Sequence, residues 1–145
     1  RHRGQARRAS LDSSRDMLSS VGFANPDRVM HSYPHELSGG MRQRVIIAMA
    51  MACSPRILIA DEPTTALDVT TQAAVLSQLI QMGRDKGTAI LLITHDLGIV
   101  AHYCDRALVM RGGRIVEDKA VADLFKNPVP EYTKALLAAS REMSL

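Results

Sequence analysis

Apolar side chains follow two rhythms along this chain, a helical spacing of three to four residues and short unbroken runs, and their order predicts the architecture. Over residues 7–21, Leu11, Leu18 and Val21 fall near one helical face, with charged side chains elsewhere, and Gly22 follows as a C-cap. Asn25-Pro26 predicts a turn, and Tyr33-Pro34 breaks any helix ahead of two glycines. Residues 41–53 contain neither Gly nor Pro. There Val45, Ile46, Ala48, Met49 and Ala52 supply a broad apolar surface, so a helix is expected, starting at Ser38-Gly39-Gly40 and ended by Ser54-Pro55.

Residues 57–60 form a continuous apolar run between a proline side and an acidic side, which suits a buried parallel strand. Residues 69–85 return to helical spacing through Val69, Ala73, Leu76 and Ile80, with Gly87 as the stop. Residues 89–94 are a second apolar run. Strand, long helix, strand predicts a βαβ unit with a right-handed crossover. Asp96 can cap a short helix reaching Tyr103, and residues 107–110 and 114–117 read as a hairpin across Gly112-Gly113. Two further helical segments, 121–126 and 131–140, are separated by Asn127-Pro128. No internal repeat or low-complexity tract interrupts this order.

The composition agrees with an α/β protein. A chain of 145 residues can bury one core, and with 46% hydrophobic but only 3% aromatic residues that core is built from Ala, Val, Ile, Leu and Met. The net charge of +3 is unevenly placed, with Arg1, Arg3, Arg7, Arg8 and Arg15 in the first fifteen residues against Asp12 alone. Such a cluster is either a nucleic-acid or lipid patch or the solvated face of a helix; no aromatics are interleaved for base stacking, which favours the second. Cys53 and Cys104 stand far apart and outside any metal-ligand spacing, so two free, partly buried thiols in a reducing compartment are expected. No apolar run approaches the roughly 18 residues of a membrane span. No signal peptide is visible and the first residue is not Met, so a piece of a longer protein is expected.

Four segments carry candidate chemistry. Ser38-Gly39-Gly40 precedes a helix; glycines allow close backbone approach, and the free N–H groups with about half a positive charge at the helix end favour an anion. The alternative is a plain N-cap. Asp61-Glu62 ends an apolar strand, where ligands of α/β sheets bind; Asp61 could hold Mg²⁺ and Glu62, on the opposite side of the chain, could polarise a water. The alternative is a solvated acidic turn. His95 follows the second strand and could reach a γ-phosphate or be structural, and Asp68 could simply cap the helix starting near Val69. No Gly-x-x-x-x-Gly-Lys-Ser/Thr phosphate loop occurs anywhere in the sequence.

Taken in order, these segments closely resemble the ATP-binding subunit of ABC transporters. Leu37-Ser38-Gly39-Gly40-Met41 resembles the signature motif, residues 57–62 resemble Walker B with its catalytic glutamate, Thr65-Ala66-Leu67-Asp68 the D-loop, and His95 the switch histidine. The resemblance runs from about Tyr33 to the C terminus and extends through the first helix as part of the helical subdomain. Leu-Ser-Gly-Gly-Met-Arg-Gln-Arg, with Met41 where Gln is commonest, and the run from Asp61 to Thr70 are similar to the dipeptide/oligopeptide and nickel importer group. Asn127-Pro128 and the stretch from Tyr132 to Leu137 resemble that group's C-terminal extension, although Pro130-Glu131-Tyr132-Thr133 replaces its usual His-Pro-Tyr-Thr.

The resemblance implies a partial P-loop NTPase fold. Residues 1–54 would be a partial helical subdomain, 55–119 the C-terminal half of the parallel-sheet core and 120–145 a C-terminal helical extension. It implies an ATPase using ATP and Mg²⁺, peripheral on the cytoplasmic face of the plasma membrane and powering peptide uptake. Its partners would be a second ATPase subunit, transmembrane permease subunits and, indirectly, a solute-binding protein; nucleic acid is not expected. Ser38, Gly39, Gly40 and Met41 would touch a nucleotide bound to the partner, Asp61 would hold Mg²⁺, Glu62 and His95 would be catalytic, and Asp68 would cross the dimer interface. The P-loop and the glutamine loop are absent, so this stretch alone is expected to be inactive and its sheet incompletely covered. The alternatives are a soluble ABC-type ATPase acting on nucleic acid and a non-catalytic, truncated interaction module.

Overall fold

The structure, a computed structural model, describes residues 7–65 and 67–142. By contact the chain divides into two compact units, Arg1–Ile93 and Thr94–Leu145.

The first unit holds α1 (Arg7–Ser20), α2 (Pro26–His31), a 3₁₀ turn (Pro34–Glu36), α3 (Gly39–Met51), β1 (Ile57–Asp61), α4 (Val69–Lys86) and β2 (Ala89–Ile93). Gly22 takes φ +82 just beyond α1, the left-handed conformation expected of a residue after a helix end. Asn25-Pro26 is not a bare turn: Asn25 Oδ1 accepts from Arg28 N–H at 3.1 Å and Pro26 occupies the first position of α2, where its missing N–H is harmless. Leu18, Val21, Val29, Ile47, Ala48, Met51, Val75, Leu79 and Met82 form one core joining α1, α2, α3 and α4. The buried face of α3 is Gly40, Ile47, Ala48 and Met51, whereas Ile46 and Met49 are 56% and 70% exposed and Ala52 is exposed. Of the broad apolar surface expected from Val45, Ile46, Ala48, Met49 and Ala52, Ala48 is buried and Val45 packs against the core, while Ile46, Met49 and Ala52 face outward.

β1 and β2 pair in parallel from Ile57 opposite Ala89 to Asp61 opposite Ile93, with α4 as the crossover. Gly87, at φ 62, ends α4, and Thr88 N–H reaches back to Gly83 O at 2.8 Å, satisfying a terminal carbonyl. The buried Thr88 hydroxyl donates to Pro55 O at 2.7 Å and ties the two strand starts together. Leu58, Ala60 and Ile90 pack against the helical core. The strands are not buried on both faces as expected: Ile57 and Ile59 are 65% and 64% exposed, and Leu91 and Ile93 are each 46% exposed. Two strands with helices on one side leave the opposite apolar face open.

The second unit holds α5 (Leu97–Tyr103), β3 (Arg106–Arg111), β4 (Arg114–Ala120), α6 (Val121–Lys126) and α7 (Glu131–Glu142). β3 and β4 form the expected hairpin, with Gly112 and Gly113 at φ 55 and 75, as a tight turn matching strand twist requires. A register shift between Val109 and Met110 marks a bulge. Val109, Val121, Leu124 and Leu137 are buried, and Arg111 lies 4.8 Å over the Tyr132 ring. Lys119 Nζ donates to Asn127 O at 2.8 Å and Val129 N–H donates to Glu117 Oε1 at 3.0 Å, so β4 holds the connector before α7 by its backbone. Burial opposes the charge on Glu117, but Lys119, the nearby Thr133 hydroxyl and the Val129 N–H outweigh it and hold the carboxyl below its usual range. Lys119 Nζ lies 2.9 Å from Glu117 Oε1 as an ion pair, and among the described residues Glu117 Oε2 and Thr133 Oγ1 are buried without a hydrogen-bond partner.

Cys104 is half-buried, and burial raises its thiol pKa, but Cys53 is exposed beyond the end of α3, contrary to expectation. Arg1 and Arg3 lie outside the described residues, as does Ala66. Arg15 pairs with Asp27 at 2.6 Å and Asp12 at 2.8 Å, so part of the basic N-terminal cluster is neutralised on the helix surface.

Candidate functional site

Ser38 is the N-cap of α3: its backbone is extended (φ −63, ψ 164) and its hydroxyl accepts from Met41 N–H at 3.3 Å. Arg42 N–H donates to Ser38 O at 2.9 Å. The hydroxyl therefore satisfies one N–H of the first turn, and the helix dipole is directed out through Ser38, Gly39 and Gly40. The Met41 side chain packs against the core.

The two glycines answer to the interior as well as to any ligand. Gly40 is buried, and a β-carbon placed on it would collide with the Thr71 γ-methyl of α4. A β-carbon on Gly39 would lie 3.1 Å from Leu67 Cδ2. A small residue is thus required at Gly40 because the first turn of α4 is pressed against it, a reason that the sequence pattern Ser-Gly-Gly does not reveal.

β1 delivers Asp61 to its C-terminal end, exposed. Glu62 follows in the left-handed region at φ 46, which a non-glycine residue adopts at an energetic cost of roughly 1–2 kcal/mol. Its N–H still donates to Ile93 O at 2.9 Å, and its Oε2 accepts from Thr65 Oγ1 at 3.1 Å. The strained turn carries a half-buried carboxylate, with Thr65 fixing one oxygen. Thr64 is buried, Leu67 N–H donates to Thr64 O at 3.1 Å, and Leu67 then packs on Gly39.

Asp68 caps α4, its Oδ1 accepting from Thr71 N–H at 2.9 Å. The Thr71 hydroxyl, then the Thr71 N–H, hold the carboxyl below its usual range. The first unit thus contains the Ser38 turn, the Asp61-Glu62 strand end and the Asp68 cap, with Leu67 against Gly39 and Thr71 against Gly40. His95 is exposed in the second unit, where Asp96 caps α5 by accepting from Gly98 N–H at 2.8 Å and Ile99 N–H at 3.2 Å.

Among the described residues no three His, Cys, Asp or Glu side chains converge as a metal site. The donor set at the strand end is one exposed carboxylate, Asp61. That suits magnesium, which takes few protein carboxylates and completes its shell with water and phosphate oxygens, and does not suit an all-protein metal cage. No helix among the described residues is long and apolar enough to cross a membrane.

The ABC transporter family model matches residues 3–65. The chain is 54% identical over 136 residues to the probable peptide ABC transporter ATP-binding protein y4tR of Sinorhizobium fredii, covering 94% of this chain and 41% of that protein. It is 49% identical over 138 residues to the oligopeptide transport ATP-binding protein AppD of Bacillus subtilis, covering 95% of this chain and 42% of that protein. With the oligopeptide transport ATP-binding protein OppD of Salmonella typhimurium it shares 50% identity over 138 residues, 95% of this chain and 41% of that protein. The chain therefore spans about two fifths of the length of these relatives. Among solved structures it is similar to the ATP-binding cassette MJ0796, a dimer in a post-hydrolysis state bound to ADP and Pi. The TM-score is 0.68 at 26% identity, over 81% of this chain and 50% of that one.

Proposed function

We propose that this chain belongs to the ABC transporter ATP-binding family and is a portion, carrying the signature motif and the hydrolytic strand end, of an ATPase subunit that powers peptide uptake. One observation supports the reading: a single compact unit holds both a serine-capped, glycine-led helix start and a strand end that presents Asp61 and a strained Glu62. Phosphoryl transfer depends almost wholly on positioning and charge stabilisation, and these are the groups such a reaction needs.

In this proposal Ser38, Gly39, Gly40 and the Met41 turn receive the terminal phosphate of an ATP bound to a second subunit. Asp61 holds Mg²⁺, whose bound charge would offset that of the phosphates. Glu62 orients and polarises the attacking water on the nucleotide of its own subunit, His95 contacts that nucleotide's terminal phosphate, and Asp68 bridges to the partner. The functional division follows: residues 1–54 carry the signature subdomain, 55–119 the hydrolytic half of the core, and 120–145 the C-terminal extension. The subunit works peripherally on the cytoplasmic face of the membrane, with a second ATPase subunit, permease subunits and, through them, a solute-binding protein. The nucleic-acid alternative rested on the arginine-rich start, and the pairing of Arg15 with Asp12 and Asp27 weakens it.

These 145 residues hold no phosphate loop, so the cradle for their own nucleotide comes from another stretch of polypeptide. Ser38→Arg in a full-length subunit carrying this segment tests the proposal. Turnover should fall at least about a hundredfold, the scale on which removing one preorganised donor acts, while ATP still binds the subunit's own phosphate loop. Unchanged turnover contradicts it.

A further inference from the structure

The contact between the two helix starts points to a residue with a role beyond packing. We propose that Thr71, in the first turn of α4, is a positioning residue for the Ser38-Gly39-Gly40 turn: its γ-methyl occupies the space a β-carbon would take at Gly40 and so fixes how the start of α3 is presented. The inference rests on the ATPase reading above for its functional consequence, but the contact itself stands independently of that reading.

Three features make Thr71 a rigid stop. A β-branched side chain has few rotamers available in a helix. Both its backbone N–H, at 2.9 Å, and its hydroxyl engage the Asp68 carboxylate, so the side chain is held from two points. With the hydroxyl turned to Asp68, the methyl is left facing Gly40, which is buried and has no room for a β-carbon. Leu67 makes the neighbouring contact on Gly39.

The same short path leads back to the strand end. Glu62 binds Thr65 through its carboxylate, Leu67 N–H binds Thr64 O, Asp68 holds Thr71, and Leu67 and Thr71 seat the two glycines. On the proposed mechanism, Glu62 serves this subunit's nucleotide and the glycines serve the partner's. Thr71 therefore lies at the glycine end of the segment that joins the two within a single chain.

The side chain's two arms separate by substitution in a full-length subunit carrying this segment. Thr71→Ser keeps the hydroxyl and removes the methyl; Thr71→Val keeps methyl bulk and removes the hydroxyl. Gly40→Ala should lower the nucleotide-free Tm by about 5 °C and kcat by roughly tenfold or more. Adding Thr71→Ser should restore Tm to within about 2 °C and recover at least about threefold in kcat, with little change in KM. Adding Thr71→Val should restore neither. A Gly40→Ala/Thr71→Ser protein no better than Gly40→Ala overturns the contact, and recovery of Tm without kcat overturns the positioning role. A wild-type subunit that never hydrolyses ATP strikes the function proposed above, and the Tm cycle then decides the contact alone.

Discussion

Glu62 combines a demanding backbone conformation with a side chain held by Thr65. A residue kept at positive φ without being glycine marks strain that the surrounding fold must hold in place. Glu62→Gly is expected to remove that strain, leaving stability equal to or up to about 1 kcal/mol above wild type by denaturant midpoint, even as turnover in the full-length subunit is lost. A large loss of stability would show that the carboxylate is there for the fold. Asp68 gives a pH signature. Its folded carboxyl lies below the ordinary range because Thr71 donates to the charged form, so its stabilisation is present at neutral pH. That contribution is lost as pH falls below about 4 and through the folded value, and Asp68→Asn should flatten this part of the acid-unfolding curve. The capping role of Asp68 was legible from its place before Val69. The burden on Gly39 and Gly40 was not, because the atoms that crowd them belong to Leu67 and Thr71, about thirty residues along.

At the level of elements, α4 is the spine of the first unit. Val75, Leu76 and Leu79 are essentially inaccessible, Gly83 lets the helix close on β2, and Gly87 releases the chain into that strand. A β-carbon on Gly83 would stand 2.7 Å from Ile90 Cδ1 and 3.2 Å from Thr88 O. Gly83→Ala should therefore destabilise by about 1–3 kcal/mol despite the better helix propensity of alanine, as measured by chemical unfolding. The long elements and their ends were readable because helical spacing, caps and unbroken apolar runs are local signals. α2 was not, since six residues give no periodicity and its Asn-Pro start also reads as a turn. The buried face of α3 escaped for the opposite reason: Val45 to Met51 is apolar without interruption, and the partners on α1 and α4 choose the face.

On the scale of the molecule, the parallel pair exposes Ile57, Ile59, Leu91 and Ile93 on one face. An apolar face of this kind promotes association, so the isolated chain should oligomerise at micromolar concentrations, and Ile59→Lys should reduce that by light scattering without unfolding the chain. If the variant associates as strongly as wild type, another surface is responsible. The same incompleteness governs activity. With no phosphate loop in its sequence, the isolated chain should show no magnesium-dependent ATPase above background. Sequence motifs announced the proposed chemistry more clearly than geometry does, because Ser38 and Glu62 are recognisable by type and spacing while the geometry shows only a helix cap and a strained strand end. The central claim, that Glu62 is the hydrolytic carboxylate of an ABC-type ATPase, is tested most directly by Glu62→Gln in a full-length subunit, with ATP binding and turnover measured separately. The account predicts that ATP still binds while turnover falls at least about a hundredfold; turnover within a factor of about two of wild type would contradict it.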